Sequence, residues 1–310
     1  MLHDVTRDWY AWRTVPDYKR TYRTRRWRKL RHLARIAPAV RALGRAPGVF
    51  VWDDLSLLLF TPAMRASTVF VLHHYDPLEH DPPRVEAALW ERLFAVLPEC
   101  AAVVCVAPYW ARFLQGRGVP GARVIYNAFD LTEIDRARGL DRLRCRAEFG
   151  LAGDTLAVYA GKAGRWKGVE TVAAALDGDP RLRVITTGPA THTVGFTGAH
   201  HDLPRDGYLR LLRACDVGVF TPRMEEGWSR CAAEALLTGL PGLIRPVAGL
   251  GDLAQLTAQP APDLARLREQ VYERAATPTA DTRAVYDTLA RFDRGYFAGA
   301  WRRLLDGIAV

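Results

Sequence analysis

Runs of apolar, largely β-branched residues recur along the chain at 48–54 (GVFVWDD), 68–72 (TVFVL), 102–107 (AVVCVA) and 123–126 (RVIY). They return at 155–160 (TLAVYA), 182–186 (LRVIT), 217–220 (VGVF) and 242–245 (GLIR). Such runs have no polar face to offer water, so each predicts a strand covered on both sides of its sheet. Helical patterns separate them, at 55–65, 86–97, 109–115, 169–175, 208–214, 232–237 and 263–275, with shorter helical signals at 145–149 and at 36–43, the latter interrupted by Pro38. Strand and helix in alternation at this spacing predict an α/β protein built on parallel sheets, whose ligands sit at the carboxyl ends of the strands. With 310 residues the chain is long enough for two such domains, and the pattern restarts near 127–135.

Several function classes lose support from what is missing. There is no GxGxxG fingerprint, no GxxxxGK[ST] loop, no GxSxG elbow and no HExxH pair. The longest plainly apolar stretches, 57–60 and 69–72, fall far short of a bilayer span, and nothing near the start reads as a secretory signal. The five cysteines, at 100, 105, 145, 215 and 231, are odd in number and lack CxxC spacing, which favours a reduced, cytoplasmic compartment without disulfides or structural zinc. Asp53 and Asp54 alone do not make a cation site, so no metal and no cofactor is expected.

Charge is concentrated at one end. The net charge is +9, and residues 1–35 hold eleven of the basic side chains against three acidic ones. Arg20, Arg23, Arg25, Arg26, Arg28 and Lys29 cluster around Trp27, with Trp9, Tyr10, Trp12, Tyr18 and Tyr22 close by. Three readings stay open: a solvated basic helix, a contact with anionic membrane, or a grip on nucleic acid with the rings as stacking platforms.

Two later segments carry the chemistry. The chain has only four lysines, and two of them, Lys162 and Lys167, flank Arg165 in the loop GKAGRWKGVE that starts at Gly161. A glycine-rich turn leading into a helix, with compact positive charges on it, fits a diphosphate, the alternative being a solvated basic loop. The second segment, TPRMEEGWSRCAAEALLTGL, runs from Thr221 to Leu240. Ser229 is placed to cap a largely apolar helix that carries Glu234, and a carboxylate on such a helix needs a partner, either ligand hydroxyls or a neighbouring arginine. Glu225 and Glu226 lie in the preceding loop, where they reach a ligand or remain a solvated acidic pair.

These segments resemble retaining glycosyltransferases of family 4, over roughly 48–305 and most strongly over 121–255. The matching residues are Gly161, Lys162, Lys167 and Gly168, then Glu226-Gly227-Trp228-Ser229 with Glu234, then Thr238-Gly239-Leu240-Pro241. Gly249-Leu250-Gly251-Asp252-Leu253 and Ile125-Tyr126-Asn127-Ala128-Phe129-Asp130 add to the match. The resemblance implies a GT-B fold, two Rossmann-like domains with a cleft between them, the first reduced. It implies a basic aromatic segment over 1–45, an acceptor-side domain over 46–128, a donor domain over 129–290, and a terminal helix over 291–310 that crosses back to the first domain.

By the same resemblance Lys162, Arg165 and Lys167 hold the donor diphosphate, Glu226 faces the transferred sugar and Glu234 faces the ribose. Gly161 and Gly227 complete the donor site, with the backbone amides of Trp228 and Ser229 after Gly227 touching the sugar or phosphates. A histidine at the end of the second strand, His74 in preference to His73, serves the acceptor, with Asp76 orienting it. The implied reaction moves a glycosyl group from a nucleotide sugar to an acceptor hydroxyl with retention and without metal. The acceptor is expected to be lipid-linked or at a membrane surface, which places the protein in the cytoplasm and peripherally on the inner face of the membrane. A nucleic-acid acceptor and a non-catalytic interaction protein are the alternatives. The chain departs from the family in lacking, over 1–45, an opening strand and a Gly-Gly phosphate loop, and in carrying lysine at 162 where arginine is usual.

Overall fold

The computed structural model describes residue 2 and residues 27–44, 48–80, 82–151, 153–164, 166–189, 198–276 and 279–308. Arg20, Arg23, Arg25, Arg26 and Arg165 therefore lie outside the described residues, as does the side chain of Arg28. The chain divides into two compact units, Met1–Asn127 with Arg294–Val310, and Ala128–Asp293.

The first unit is built on β1 (Phe50–Trp52), β2 (Thr68–Leu72), β3 (Ala102–Cys105) and β4 (Arg123–Val124), a parallel sheet in that order. All five residues of β2 are buried, which is why its sequence shows no alternation. The helix Pro83–Val96 turns Glu86, Trp90, Leu93 and Phe94 inward at helical spacing. The helix Arg294–Asp306 belongs to this unit and buries Phe297, Trp301, Leu304 and Leu305.

Two helical expectations are corrected here. The segment 55–65 is not one helix but a 3₁₀ turn, Leu55–Leu59, followed by the short helix Pro62–Ala66. Proline has no N–H to continue the first turn and opens the second, whose N-cap Thr61 accepts from Met64 N at 3.3 Å. The second correction runs the other way: one helix, Arg28–Leu43, continues through Pro38. It is held by a buried stripe of His32, Ile36 and Val40, while Pro38 faces solvent. Burying Ile36 and Val40 contributes roughly 1.5–3 kcal/mol each, comparable with the ~3 kcal/mol that an interior proline costs.

That helix also changes the reading of Lys29. Its ammonium lies 2.7 Å from Glu86 Oε2, a carboxylate whose side chain is 3% exposed, so the lysine neutralises a buried charge and is not available to a polyanion. On the same helix His32 Nε2 meets Asp54 Oδ2 at 3.2 Å, and the other oxygen of Asp54 caps the turn at Ser56 N. Trp27, by contrast, is 38% exposed.

The second unit holds β5 (Leu156–Lys162), β6 (Leu182–Thr187), β7 (Ala199–His201), β8 (Val217–Phe220) and β9 (Gly242–Ile244), a parallel sheet in the order β7-β6-β5-β8-β9. Val158, Val172, Val184, Val217, Val219, Leu243 and Val271 form its core between sheet and helices. Beneath the sheet's other end Asp216 gathers Arg142, Arg146 and the backbone N–H of Ala157. Phe129 and Asp293 form a parallel bridge that closes the unit at its own two ends.

Candidate active site

In the second unit the strand order reverses direction at β5. The chain goes outward from β5 through β6 to β7, then returns to the other side of β5 as β8 and β9. In an open α/β sheet the loops leaving the two strands at such a switch point diverge and leave a crevice at their carboxyl ends. Here those loops are 163–168 after β5 and 221–229 after β8, the two segments singled out by their chemistry.

They are stitched together by one backbone and one side-chain hydrogen bond. Arg223 N donates to Trp166 O at 2.7 Å, and Thr221 Oγ1 donates to Gly168 O at 3.0 Å. Gly168 has φ +74, and a Cβ there would stand 2.0 Å from Thr221 O, so only glycine fits. A third strand end joins in: Ala163 N donates to Thr187 O at 2.7 Å. The Lys162 side chain runs so close over Gly188, where φ is +104, that a Cβ would meet its Cγ at 2.9 Å.

The charges are arranged in pairs. Lys167 Nζ donates to Glu226 Oε1, with 33% of the lysine side chain and 11% of the glutamate's exposed. The backbone of Glu226 is fixed independently, because its carbonyl accepts from Gly249 N at 3.0 Å, at the start of the helix Ala248–Leu256. Glu225 is half-buried in the same loop.

Glu234 sits on the inward face of the helix Arg230–Leu237 with 6% of its side chain exposed. Its Oε1 accepts from Arg205 Nη1 at 3.0 Å and from Arg230 Nη2 at 3.4 Å. Arg205 also donates to Glu133 Oε2 at 3.0 Å. Burial works against the charge on Arg205, but Glu234 and Glu133 outweigh it and hold the guanidinium pKa above its ordinary value. The sequence reading allowed for an arginine beside Glu234 without finding which one. Arg205 comes from another helix, Arg205–Ala214, and only the demand of a buried carboxylate for a cation pointed to it.

Below Glu234 the Cys231 thiol meets the hydroxyls of Tyr159 at 3.0 Å and Tyr208 at 3.5 Å. Burial pushes all three groups up, so the cluster is uncharged near neutral pH. Trp228 is 3% exposed and its ring packs edge-on against Phe292 at 5.8 Å, which anchors the backbone whose amides the resemblance assigns to the donor. Ser229 occupies the N-cap position, but its hydroxyl makes no capping hydrogen bond.

In the first unit His73 and His74 follow β2 directly. His73 is exposed and has Asp53 Oδ2 at 3.7 Å, while His74 is half-buried. Asp76 is 6% exposed and its Oδ1 accepts from Leu78 N at 3.0 Å, which caps the turn Pro77–Glu79. Among the described residues no group of three or more His, Cys, Asp or Glu side chains is placed to hold a metal ion, and no helix is long and apolar enough to cross a membrane.

No family profile and no curated protein sequence matches the chain. Solved structures do match its fold. Sucrose-phosphate synthase from Thermosynechococcus elongatus aligns with a TM-score of 0.68 at 17% identity, over 90% of this chain and 78% of that one. An α,α-trehalose-phosphate synthase (UDP-forming) from Burkholderia vietnamiensis gives 0.68 at 17%, over 91% and 76%. HepE from Anabaena, solved with UDP and glucose, gives 0.64 at 17%, over 88% and 81%. With its two parallel-sheet units and these likenesses, the chain has the GT-B fold of nucleotide-sugar glycosyltransferases.

Proposed function

We propose that the chain is a retaining glycosyltransferase of the family 4 type, moving a sugar from a nucleotide-sugar donor to the hydroxyl of a lipid-linked or membrane-surface acceptor. The observation that carries this reading is the pairing, at one switch point, of Lys167 from the loop after β5 with Glu226 from the loop after β8, with Lys162 ending β5 and Glu234 on the helix that follows. Solved structures of the same fold lend support, HepE having been solved with UDP-glucose.

The division of labour follows from chemistry. Lys162 and Lys167 face the diphosphate and meet the charge that grows on it as the glycosidic bond breaks, which is a transition-state contribution. Glu226 takes sugar hydroxyls and Glu234 takes the ribose. The acceptor oxygen bonds to the anomeric carbon on the face the diphosphate leaves. The C–O bond breaks with its electron pair staying on the phosphate oxygen, and the acceptor proton passes to that oxygen. No carboxylate acts as nucleophile, which separates this scheme from the paired carboxylates of glycosidases. On the acceptor side the residues are His74 and His73, with Asp76 beside them.

A thermal-shift screen of nucleotide sugars, followed by mass spectrometry with lipid and DNA acceptors, tests the reading. It is supported by a glycosylated lipid product and overturned if no donor stabilises the protein and no product forms; a product on DNA alone replaces the lipid acceptor with nucleic acid. Glu234→Ala is expected to weaken donor binding about tenfold or more, by the loss of charge-assisted bonds worth roughly 1.5–3 kcal/mol each. Calorimetric titration of folded variant against wild type checks it, and unchanged affinity removes Glu234 from the ribose.

The segment 1–35 is proposed to dock on anionic membrane. Binding to liposomes is then expected to rise with anionic lipid and fall with salt, leaving a salt-resistant part from the tryptophans. Deleting residues 1–26, which leaves the anchored helix Arg28–Leu43 intact, is expected to weaken sedimentation with liposomes sharply. Failure of the intact protein to bind anionic liposomes at low salt discards the membrane contact.

A further inference from the structure

Two guanidinium groups meet the buried Glu234 carboxylate, and both meet it at the same oxygen, Oε1. They are not equivalent. Arg230 lies four residues earlier on the same helix, is 49% exposed and stands at 3.4 Å, the weak geometry of a surface pair. Arg205 comes from the start of another helix, Arg205–Ala214, and stands at 3.0 Å. We infer that Arg205 is a positioning residue for the ribose of the nucleotide, acting through Glu234; this rests on the donor-site reading proposed above. It compensates the buried charge and holds the carboxylate in the orientation that meets the ribose hydroxyls.

The arginine is itself fixed from several sides. Its Nε donates to Glu133 Oε2 at 3.0 Å, on the helix Leu131–Arg138, while its Nη1 reaches Glu234 on the helix Arg230–Leu237. One planar fork thus ties two other helices to its own. The guanidinium carbon lies 5.7 Å from the ring centre of Tyr208, and Tyr208 N donates to Pro204 O at 2.9 Å, which sets the helix start from which the arginine leaves. The Tyr208 and Cys231 side chains near Glu234 are uncharged near neutral pH, so neither supplies a counter-charge in place of the guanidinium.

Because both arginines meet Oε1, Oε2 takes part in neither contact and is the oxygen turned to the ribose. No partner is given up when a nucleotide binds, since the hydroxyls add to an ion pair that persists. Hydrogen bonds to a group whose position is already set lose less to ordering. Without Arg205 the carboxylate keeps only the half-exposed Arg230 and gains orientations, so the loss falls on the ribose hydroxyls and not on the base or the phosphates.

The test measures the affinity of intact protein for UDP, GDP and ADP and, for the one that wild type accepts, for its 2′,3′-dideoxy counterpart. It compares wild type with Arg205→Met, Arg205→Lys, Glu234→Ala and the double variant R205M with E234A, each shown by melting curves to be folded. R205M is expected to bind the ribonucleotide about five- to tenfold more weakly and the dideoxynucleotide within about twofold of wild type. R205K keeps the charge but not the fork; it is expected to show the same selective loss to a smaller degree, and it carries the test if R205M does not fold. In the E234A background, R205M is expected to change ribonucleotide affinity by less than about twofold, because its effect runs through that carboxylate. Four results overturn the positioning role while leaving the donor site standing: wild-type affinity equal for ribo- and dideoxynucleotide, equal loss of both in the arginine variants, no loss of either, or a loss that adds in full to that of E234A. Absence of binding of any of these nucleotides to wild type overturns the donor reading, and the positioning role with it.

Discussion

Replacing Lys167 with methionine is expected to lower turnover about 10²–10³-fold, the usual cost of removing one positioned group that stabilises transition-state charge. Donor affinity is expected to fall far less. In the ground state the ammonium already has a carboxylate partner in Glu226, so its interaction with the incoming diphosphate is partly cancelled by the bond it gives up. As the glycosidic bond breaks, a further negative charge develops on the leaving oxygen, and this is the charge the lysine serves. Methionine keeps the aliphatic stem, whose Cγ lies 3.1 Å from where a Cβ on Gly164 would stand, so packing of the loop is retained. Steady-state kinetics and a direct donor titration on the same preparation decide the matter. Equal losses in affinity and in kcat/KM mean that the lysine binds uniformly and does not serve the transition state.

Gly168→Ala is expected to destabilise the protein by about 3 kcal/mol or more, from left-handed backbone strain added to a direct clash. The clash is with Thr221 O, at 2.0 Å from the position of the new carbon. Gly178 supplies the control. It has φ +82, close to the +74 of Gly168, yet nothing lies within 4 Å of its Cβ position, so Gly178→Ala is expected to cost only ~1–2 kcal/mol. The melting temperature is expected to drop by roughly 6–12 °C in the first variant and by about one- to two-thirds of that in the second. Similar shifts in both variants contradict the close approach that joins the two site loops.

The strands were legible because a strand buried on both faces writes itself as an unbroken apolar run, as β2, β5 and β8 do. The edge strand β7 (Ala-His-His) was not, since it is held by pairing with β6 and carries no apolar run of its own. Proline misled in both directions. Pro62 ends one turn and begins a helix, whereas Pro38 is carried by a helix whose other face is buried against the core. The helices Leu131–Arg138 and Ala248–Leu256 escaped the reading of strand and helix alternation, the first being mostly polar and the second lying in a stretch read for its glycines.

At the site, residue types were legible and pairings were not. Spacing marked Lys162, Lys167, Glu226 and Glu234, but that Glu226 holds Lys167, and that Arg205 holds Glu234, depends on how β5 and β8 bring distant loops together. The place of the Trp228 ring in the core against Phe292 was likewise not legible from the polar motif around it.

Calorimetric titration of the intact protein with UDP, GDP and ADP sugars, run in parallel on Lys167→Met and Glu234→Ala, tests the central claim most directly. The expected result is one-site binding of at least one nucleotide sugar to wild type, about tenfold or more weaker in E234A and only modestly weaker in K167M. No binding of any nucleotide sugar to folded wild-type protein, or binding that neither substitution alters, contradicts a donor site at the carboxyl ends of β5 and β8.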